Sequence, residues 1–158
     1  MITAIDAAGK LNGFGFDGTF VSQFDDFFIN TIVGTSQTSN QYWGILRDLT
    51  STSAGGCEEY DSPGEGLWAF DAFNKNYFLK LSSDYAVVKP GDTVSLTILG
   101  VDGNWVPANP IFGASFAGQT SSANGMVDFT APSTPGCYQY KAERSNAIRS
   151  PAFHLTVM

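Results

Sequence analysis

Thr93-Val94-Ser95-Leu96-Thr97-Ile98 alternates polar with apolar side chains, the two-residue period of a strand buried on one face. The same period returns at Val127-Asp128-Phe129, at Tyr138, Tyr140 and Ala142, and at Phe153-His154-Leu155-Thr156-Val157. Between these runs stand Lys89-Pro90-Gly91-Asp92, Asp102-Gly103-Asn104, Ala123-Asn124-Gly125 and Ser133-Thr134-Pro135-Gly136. These are turns, because Gly and Asn accept positive φ and Pro presets its own φ. Together they predict one small β-sandwich over residues 85–158.

Upstream the pattern changes. Thr3 to Leu11 reads as a short helix, with Thr3 as cap, Asp6 completing an approximate capping box and Asn12-Gly13 ending it. Ile5, Ala8 and Leu11 are expected to face inward. Phe14, Phe16 and Phe20 then alternate. Phe20, Phe24, Phe27 and Phe28 fit helical spacing, whereas Phe28, Thr31, Ile32 and Val33 favour a strand; the β-rich surroundings favour a strand from about Phe27. Tyr42 to Leu49 reads as a strand and Thr50 to Gly66 as a long loop. Leu67 to Ala72 and Tyr77 to Leu81 read as a hairpin around Phe73-Asn74-Lys75-Asn76, with Ser82 to Tyr85 as linker. The expected organisation is thus two domains, 1–84 and 85–158, mainly β throughout, with α+β character in the first.

Composition narrows the function classes. Charged residues make up 15% of the 158, well below the usual quarter, and Gly, Ser and Thr are plentiful, a balance common in extracellular β-proteins. The net charge of −7, with eight scattered Lys and Arg, offers no basic stripe for nucleic acid or an anionic membrane. No apolar run approaches the roughly 20 residues that span a bilayer. Met1-Ile2-Thr3 carries no signal-peptide pattern, so the chain is expected to be intracellular or already processed, and the processed, secreted form is the preferred reading. Cys57 and Cys137 each follow glycine in a turn-like segment. Joined, they close a loop of about 80 residues, worth about 4 kcal/mol, and imply an oxidising compartment; left apart, they are two unrelated thiols. The bridge is the reading adopted.

Chemistry-bearing constellations are sparse. The one histidine, His154, lies between Phe153 and Leu155 and so points away from the core, which leaves no imidazole for a Ser-His-Asp arrangement. One His and two distant Cys do not make a closed zinc set. Glu58, Glu59, Asp61 and Glu65 on one loop read as a solvated acidic loop before a calcium site. A glycosidase pair would have to come from Asp25 or Asp26 with Glu58, Glu59 or Asp71, and abundant surface acids make coincidence the plainer account. No metal or cofactor is expected. The aromatic residues are the remaining signal: Tyr42, Trp43, Tyr60, Trp68, Phe70 and Phe73 in the first half and Trp105 in the second. Neighbours such as Tyr42 and Trp43 diverge in a strand, so one of each pair fills the core and the other is free to line a groove. Lys141, Glu143, Arg144 and Arg149 read as a charged hairpin turn.

Phe24-Asp25-Asp26-Phe27-Phe28-Ile29, Tyr42-Trp43-Gly44-Ile45-Leu46, Gly55-Gly56-Cys57, Leu67 to Asn74, Phe78-Leu79-Lys80-Leu81 and Lys141 to Ser150 follow in that order. In that series the chain resembles fungal secreted proteins with a transcobalamin-C-terminal-like β-grasp domain (the domain of unknown function 4430 group) followed by an Ig-like domain. The resemblance implies the two folds and a secreted location, and no activity. Cobalamin binding does not carry over, since the large helical partner domain has no counterpart here. Relatives of this kind begin with a further strand pair ahead of the helix; the expectation is that a separate released peptide or a partner chain supplies it.

The function expected from these readings is a non-catalytic extracellular binding or structural module. It would hold a small aromatic or hydrophobic ligand, or a partner strand, at Tyr42, Trp43, Tyr60, Trp68, Phe70 and Phe73. A carbohydrate-binding module and a structural or adhesive cell-surface protein are the alternatives.

Overall fold

The computed structural model describes residues 1–51, 55–57, 64–102 and 109–158, apart from the side chains of Ser51 and Phe73. The chain is mainly β and divides into two units, Met1–Asn74 and Lys75–Met158.

The first unit opens with helix α1 (Ile2–Asn12). Thr3 does not cap it. The helix starts one residue earlier, and its first donors are held from outside: the Met1 ammonium and the Ile2 N–H both reach the Gly56 carbonyl, at 3.1 and 3.0 Å. Asp6 pairs instead with Lys10 at 2.6 Å on the exposed face. Ile5 is buried as expected, but Leu11 is 85% exposed. The chain folds back over Gly9, where Phe14 N–H bonds the Gly9 carbonyl at 3.1 Å and a side chain would strike the Phe14 carbonyl. That return covers the Gly9 face and leaves Leu11 outside.

Strands β1 (Phe16–Val21) and β2 (Asp26–Ile32) form an antiparallel hairpin with an irregularity at Asp17/Gly18, and β3 (Thr35–Ser36) extends it. Strand β4 (Trp43–Arg47) lies between β5 (Thr50–Ser51) and β6 (Gly66–Phe70) in a second small sheet. A short 3-10 turn, Ala72–Asn74, ends the unit. Ile5, Ile29 and Ile32 form the centre of a core on which Phe14, Phe16, Phe27, Trp43 and Trp68 pack.

In the second unit follow β7 (Tyr77–Leu81), β8 (Tyr85–Val88), β9 (Thr93–Val101), β10 (Asn109–Pro110), β11 (Ser115–Phe116) and β12 (Gln119–Thr120). Strands β13 (Met126–Thr130), β14 (Gly136–Tyr140), β15 (Ala147–Ile148) and β16 (Phe153–Val157) complete it. The long β9 is the hinge of the topology. Its first half pairs with β13, and its second half pairs with β7 on the other edge. A second sheet runs β14-β16-β8, antiparallel then parallel. The alternation seen in sequence is the burial pattern: Val94, Leu96, Ile98, Val127, Phe129, Phe153, Leu155 and Val157 all point into one core, and His154 points out.

Two sequence expectations change. Tyr77–Leu81 forms a strand, but it pairs antiparallel with β9 and parallel with β15, not with Leu67–Ala72. It therefore belongs to the second unit, and the division falls after Asn74, ahead of Ser82–Tyr85. The cause is local: Asp71 adopts φ +61 and the following 3-10 turn carries the chain away from β6. The Gly103-Asn104 part of its turn and Trp105 lie outside the described residues.

Candidate functional site

Register decides which aromatic side chains are free. Trp43 lies opposite Phe70 and Ile45 opposite Trp68, so both tryptophans and Phe70 share one face of the β4–β6 pair. The Trp43 and Phe70 rings meet at 5.3 Å and 58°. Trp43 and Trp68 are half-buried against the Ile5–Ile29–Ile32 cluster, and the Trp43 indole N–H donates to the Thr35 carbonyl at 3.1 Å. Three of the proposed contact residues are thus engaged in packing. Tyr42 faces the other way and is exposed, its hydroxyl donating to the Ser39 carbonyl at 2.6 Å. Tyr60 lies outside the described residues, as does the Phe73 side chain.

Two of the acids proposed for hydrolysis, Asp26 and Asp71, are engaged in hydrogen bonds within the first unit. Asp26 is buried, and its Oδ1 accepts the N–H groups of Phe27 at 2.7 Å and Cys57 at 2.8 Å. Gly55 packs so closely on that carboxylate that a β-carbon there would overlap Oδ2. Asp71 is buried too and accepts the side-chain amides of Gln41, at 3.0 Å, and Asn74. Both carboxylates hold loops in place. Asp25 is an exposed turn residue, and Glu58 and Glu59 lie outside the described residues. Among the described residues no cluster of three or more His, Cys, Asp or Glu is placed to hold a metal ion, and no helix is long and apolar enough to cross a membrane.

The two cysteines differ from the bridged expectation. Both Cys57 and Cys137 are free, exposed thiols. Cys137 alternates with Tyr138 and Tyr140, which pack on the core, so its Sγ lies on the outer face of the β14–β16 pair. A thiol titration of the native protein should therefore count two groups per chain. A count of zero that rises to two after reduction would establish the bridge instead.

A concave surface lies where α1, β1 and β2 meet. Phe14, Phe16, Asp17, Thr31 and Val33, with glycines between them, line a groove of about 490 Å³. Val33 is unusual there. It occupies the first position of a two-residue turn between β2 and β3, at φ +49, followed by Gly34 at φ +76. Such turns prefer Asn-Gly or Asp-Gly, and a β-branched residue in the left-handed region is strained. The conformation is held by the Val33 N–H bond to the Gly15 carbonyl at 3.0 Å. The side chain is nevertheless 67% exposed, so burial does not explain it. The turn is hidden in the sequence, because Val-Gly lacks the usual turn signature and Val33 favours a strand. A second exposed aromatic pair, Phe24 and Phe28, meets edge to face at 5.9 Å and 64°.

No family model, curated protein or solved structure matches this chain.

Proposed function

We propose that the chain is a non-catalytic extracellular binding module whose first unit holds a small, flat, apolar ligand in the Phe14–Phe16–Val33 groove. The observation that carries this reading is Val33, an exposed apolar side chain kept in a strained backbone at a groove lined by two half-buried phenylalanines. Strain that packing does not account for is a pointer to function. The volume falls within the range of small-molecule sites, which are mostly apolar with few polar groups; here these are Asp17 and Thr31.

The groove is preferred to the aromatic set of β4 and β6, since Trp43 and Trp68 pack on the core and Phe70 packs on Trp43. The β-grasp reading is supported by one helix packing through Ile5 on the Ile29–Ile32 strand. The Ig-like reading is supported by the parallel β8–β16 pair beside antiparallel β14–β16. With them goes the resemblance to the fungal transcobalamin-C-terminal-like group and its secreted setting. A carbohydrate-binding module finds less support, because the Phe24–Phe28 and Trp43–Phe70 rings are tilted rather than coplanar. A partner strand, from a separate peptide or chain, would add against β1, which ends its sheet.

The test is a fluorescence titration with the neutral probe N-phenyl-1-naphthylamine. Saturable binding is expected, weakened at least about fivefold in Phe16→Ala and in Val33→Asn. Val33→Asn should at the same time stabilise the first unit by about 1 kcal/mol, raising its Tm by roughly 4–8 °C, as it turns Val-Gly into Asn-Gly. Wild-type protein that shows no saturable uptake would overturn the reading. So would a Val33→Asn protein that gains stability and binds unchanged.

A further inference from the structure

We infer that the second unit carries an oxyanion-binding cleft formed by Lys75, Arg144 and Arg149 with the Ser115 hydroxyl, fitted to a phosphate or sulfate ester. This site is independent of the apolar groove and requires nothing of it.

Charge distribution points there first. The chain has eight Lys and Arg against fifteen Asp and Glu. Three of those eight line a single cleft of about 450 Å³, where Glu143 is the one acid among the described lining residues. The cleft is therefore cationic in a strongly anionic chain. Surface arginines in such a chain would ordinarily find one of its many carboxylates. Yet among the described residues neither Arg144 nor Arg149 makes an ion pair or a side-chain hydrogen bond.

The frame around these cations is rigid. Ser115 and Glu143 exchange two backbone hydrogen bonds, each of 2.9 Å. The Ala147 N–H closes a turn on the Arg144 carbonyl at 3.1 Å, and the Asn76 N–H bonds the Asn146 carbonyl at 2.9 Å. Strand β15 then pairs in parallel with β7, ahead of Arg149. Lys75 Nζ donates to the Ser145 carbonyl at 3.1 Å, which fixes its ammonium at the cleft. The segment 143–149 is thus tied to two strands, and its backbone is held in place where Arg144 and Arg149 line the cleft. Preorganisation of that kind lowers the cost of binding.

The donor set selects the chemistry. Guanidinium groups present paired N–H donors that match the oxygens of phosphate and sulfate, and the ammonium adds a point charge. The Ser115 hydroxyl, which donates to the Glu143 carbonyl at 3.3 Å, borders the same space. The cleft leaves room beside a tetrahedral anion, so it admits an ester as well as the bare ion. Glu143 works against the anion and sets an upper limit on its affinity.

Amide NMR titration with sodium sulfate, sodium phosphate and glucose 6-phosphate, at ionic strength held constant with sodium chloride, tests this. Constant ionic strength removes general screening from the comparison. Saturable shifts are expected at Ser115 and across 143–149, with Kd about 1 mM for the ester and weaker for the free ions. Arg144→Gln or Arg149→Gln should weaken binding about tenfold and the double variant abolish it, while Lys89→Gln, on a distant turn, leaves it unchanged. Glu143→Gln should tighten binding about threefold, a gain that no unfolding defect can imitate. Shifts that rise linearly without saturation, or that persist in the double arginine variant, would overturn the inference. Unchanged affinity in Glu143→Gln would do the same.

Discussion

Phe116→Ala is expected to destabilise the second unit by about 3–5 kcal/mol, the largest effect of any single side-chain truncation in it. Phe116 is 1% exposed, on a strand of only two residues. Its ring meets Phe129 at 5.5 Å, Phe153 at 5.9 Å and Tyr140 at 5.9 Å, each tilted or edge to face. Those partners sit on β13, β16 and β14, so one ring links strands from both sheets. Each partner is held in its own ladder, and none can move in to fill the space without breaking backbone hydrogen bonds. The cavity therefore stays open, which places the cost at the upper end for a buried aromatic. A domain of this size is stable by only about 5–15 kcal/mol, so much of its margin would go. Urea unfolding followed by circular dichroism measures the change. Phe112→Ala, at an exposed site nearby in sequence, should shift stability by no more than about 0.5 kcal/mol. A loss below about 1 kcal/mol in Phe116→Ala would mean that the two sheets do not share this ring as their common anchor.

The second unit was legible where one face is buried and the strand is long enough to show its period. Val94, Leu96 and Ile98 declare a face by themselves, and Phe153, Leu155 and Val157 declare the face opposite. Phe116 declares nothing, because Gly113-Ala114-Ser115-Phe116-Ala117-Gly118 is too short and too small in its side chains to show any period. Tyr77–Leu81 declares a strand in its own residues, but nothing in them declares its partner. Nearness in sequence favoured Leu67–Ala72, whereas the open edge at the end of β9 lies about twenty residues downstream and no local pattern records it. In the first unit, alternation told that Tyr42 and Trp43 part company but not which of them packs; only the register against Phe70 decides that. Val33 was hidden for another reason. Its residue type argues for a strand, and the structure holds it in a turn against that preference. That Lys75 lines one cleft with Arg144 and Arg149 depends on the β7–β15 pairing, which no local pattern records either.

Gly125→Ala is the second large effect, and it isolates backbone approach from side-chain packing. Gly125 follows Ala123-Asn124 in the turn before β13 and has φ +72. Its carbonyl accepts the Ile98 N–H at 2.8 Å, while the Ile98 carbonyl accepts the Ile111 N–H at 2.9 Å. The turn is thereby laid directly on the backbone of β9. A β-carbon at Gly125 would stand 2.5 Å from the Ile98 carbonyl oxygen and 3.1 Å from the Ile111 nitrogen. Both are main-chain atoms in bonded ladders and cannot swing aside as a side-chain end can. Two costs then add: about 1–2 kcal/mol for alanine in the left-handed region and about 1–3 kcal/mol for the forced shift of β9. Gly118→Ala provides the comparison, since Gly118 has φ +78 with open space around it and meets only the first cost. Gly125→Ala should therefore unfold at lower urea than Gly118→Ala, the gap measuring the close approach alone. Equal midpoints would show that β9 yields at Ile98, and with it the pairing of that segment to Ile111. Because β9 carries β13 on one edge and β7 on the other, a displaced Ile98 would be felt in both, so amide exchange should quicken at Phe78 to Leu81 as well as at Met126 to Thr130.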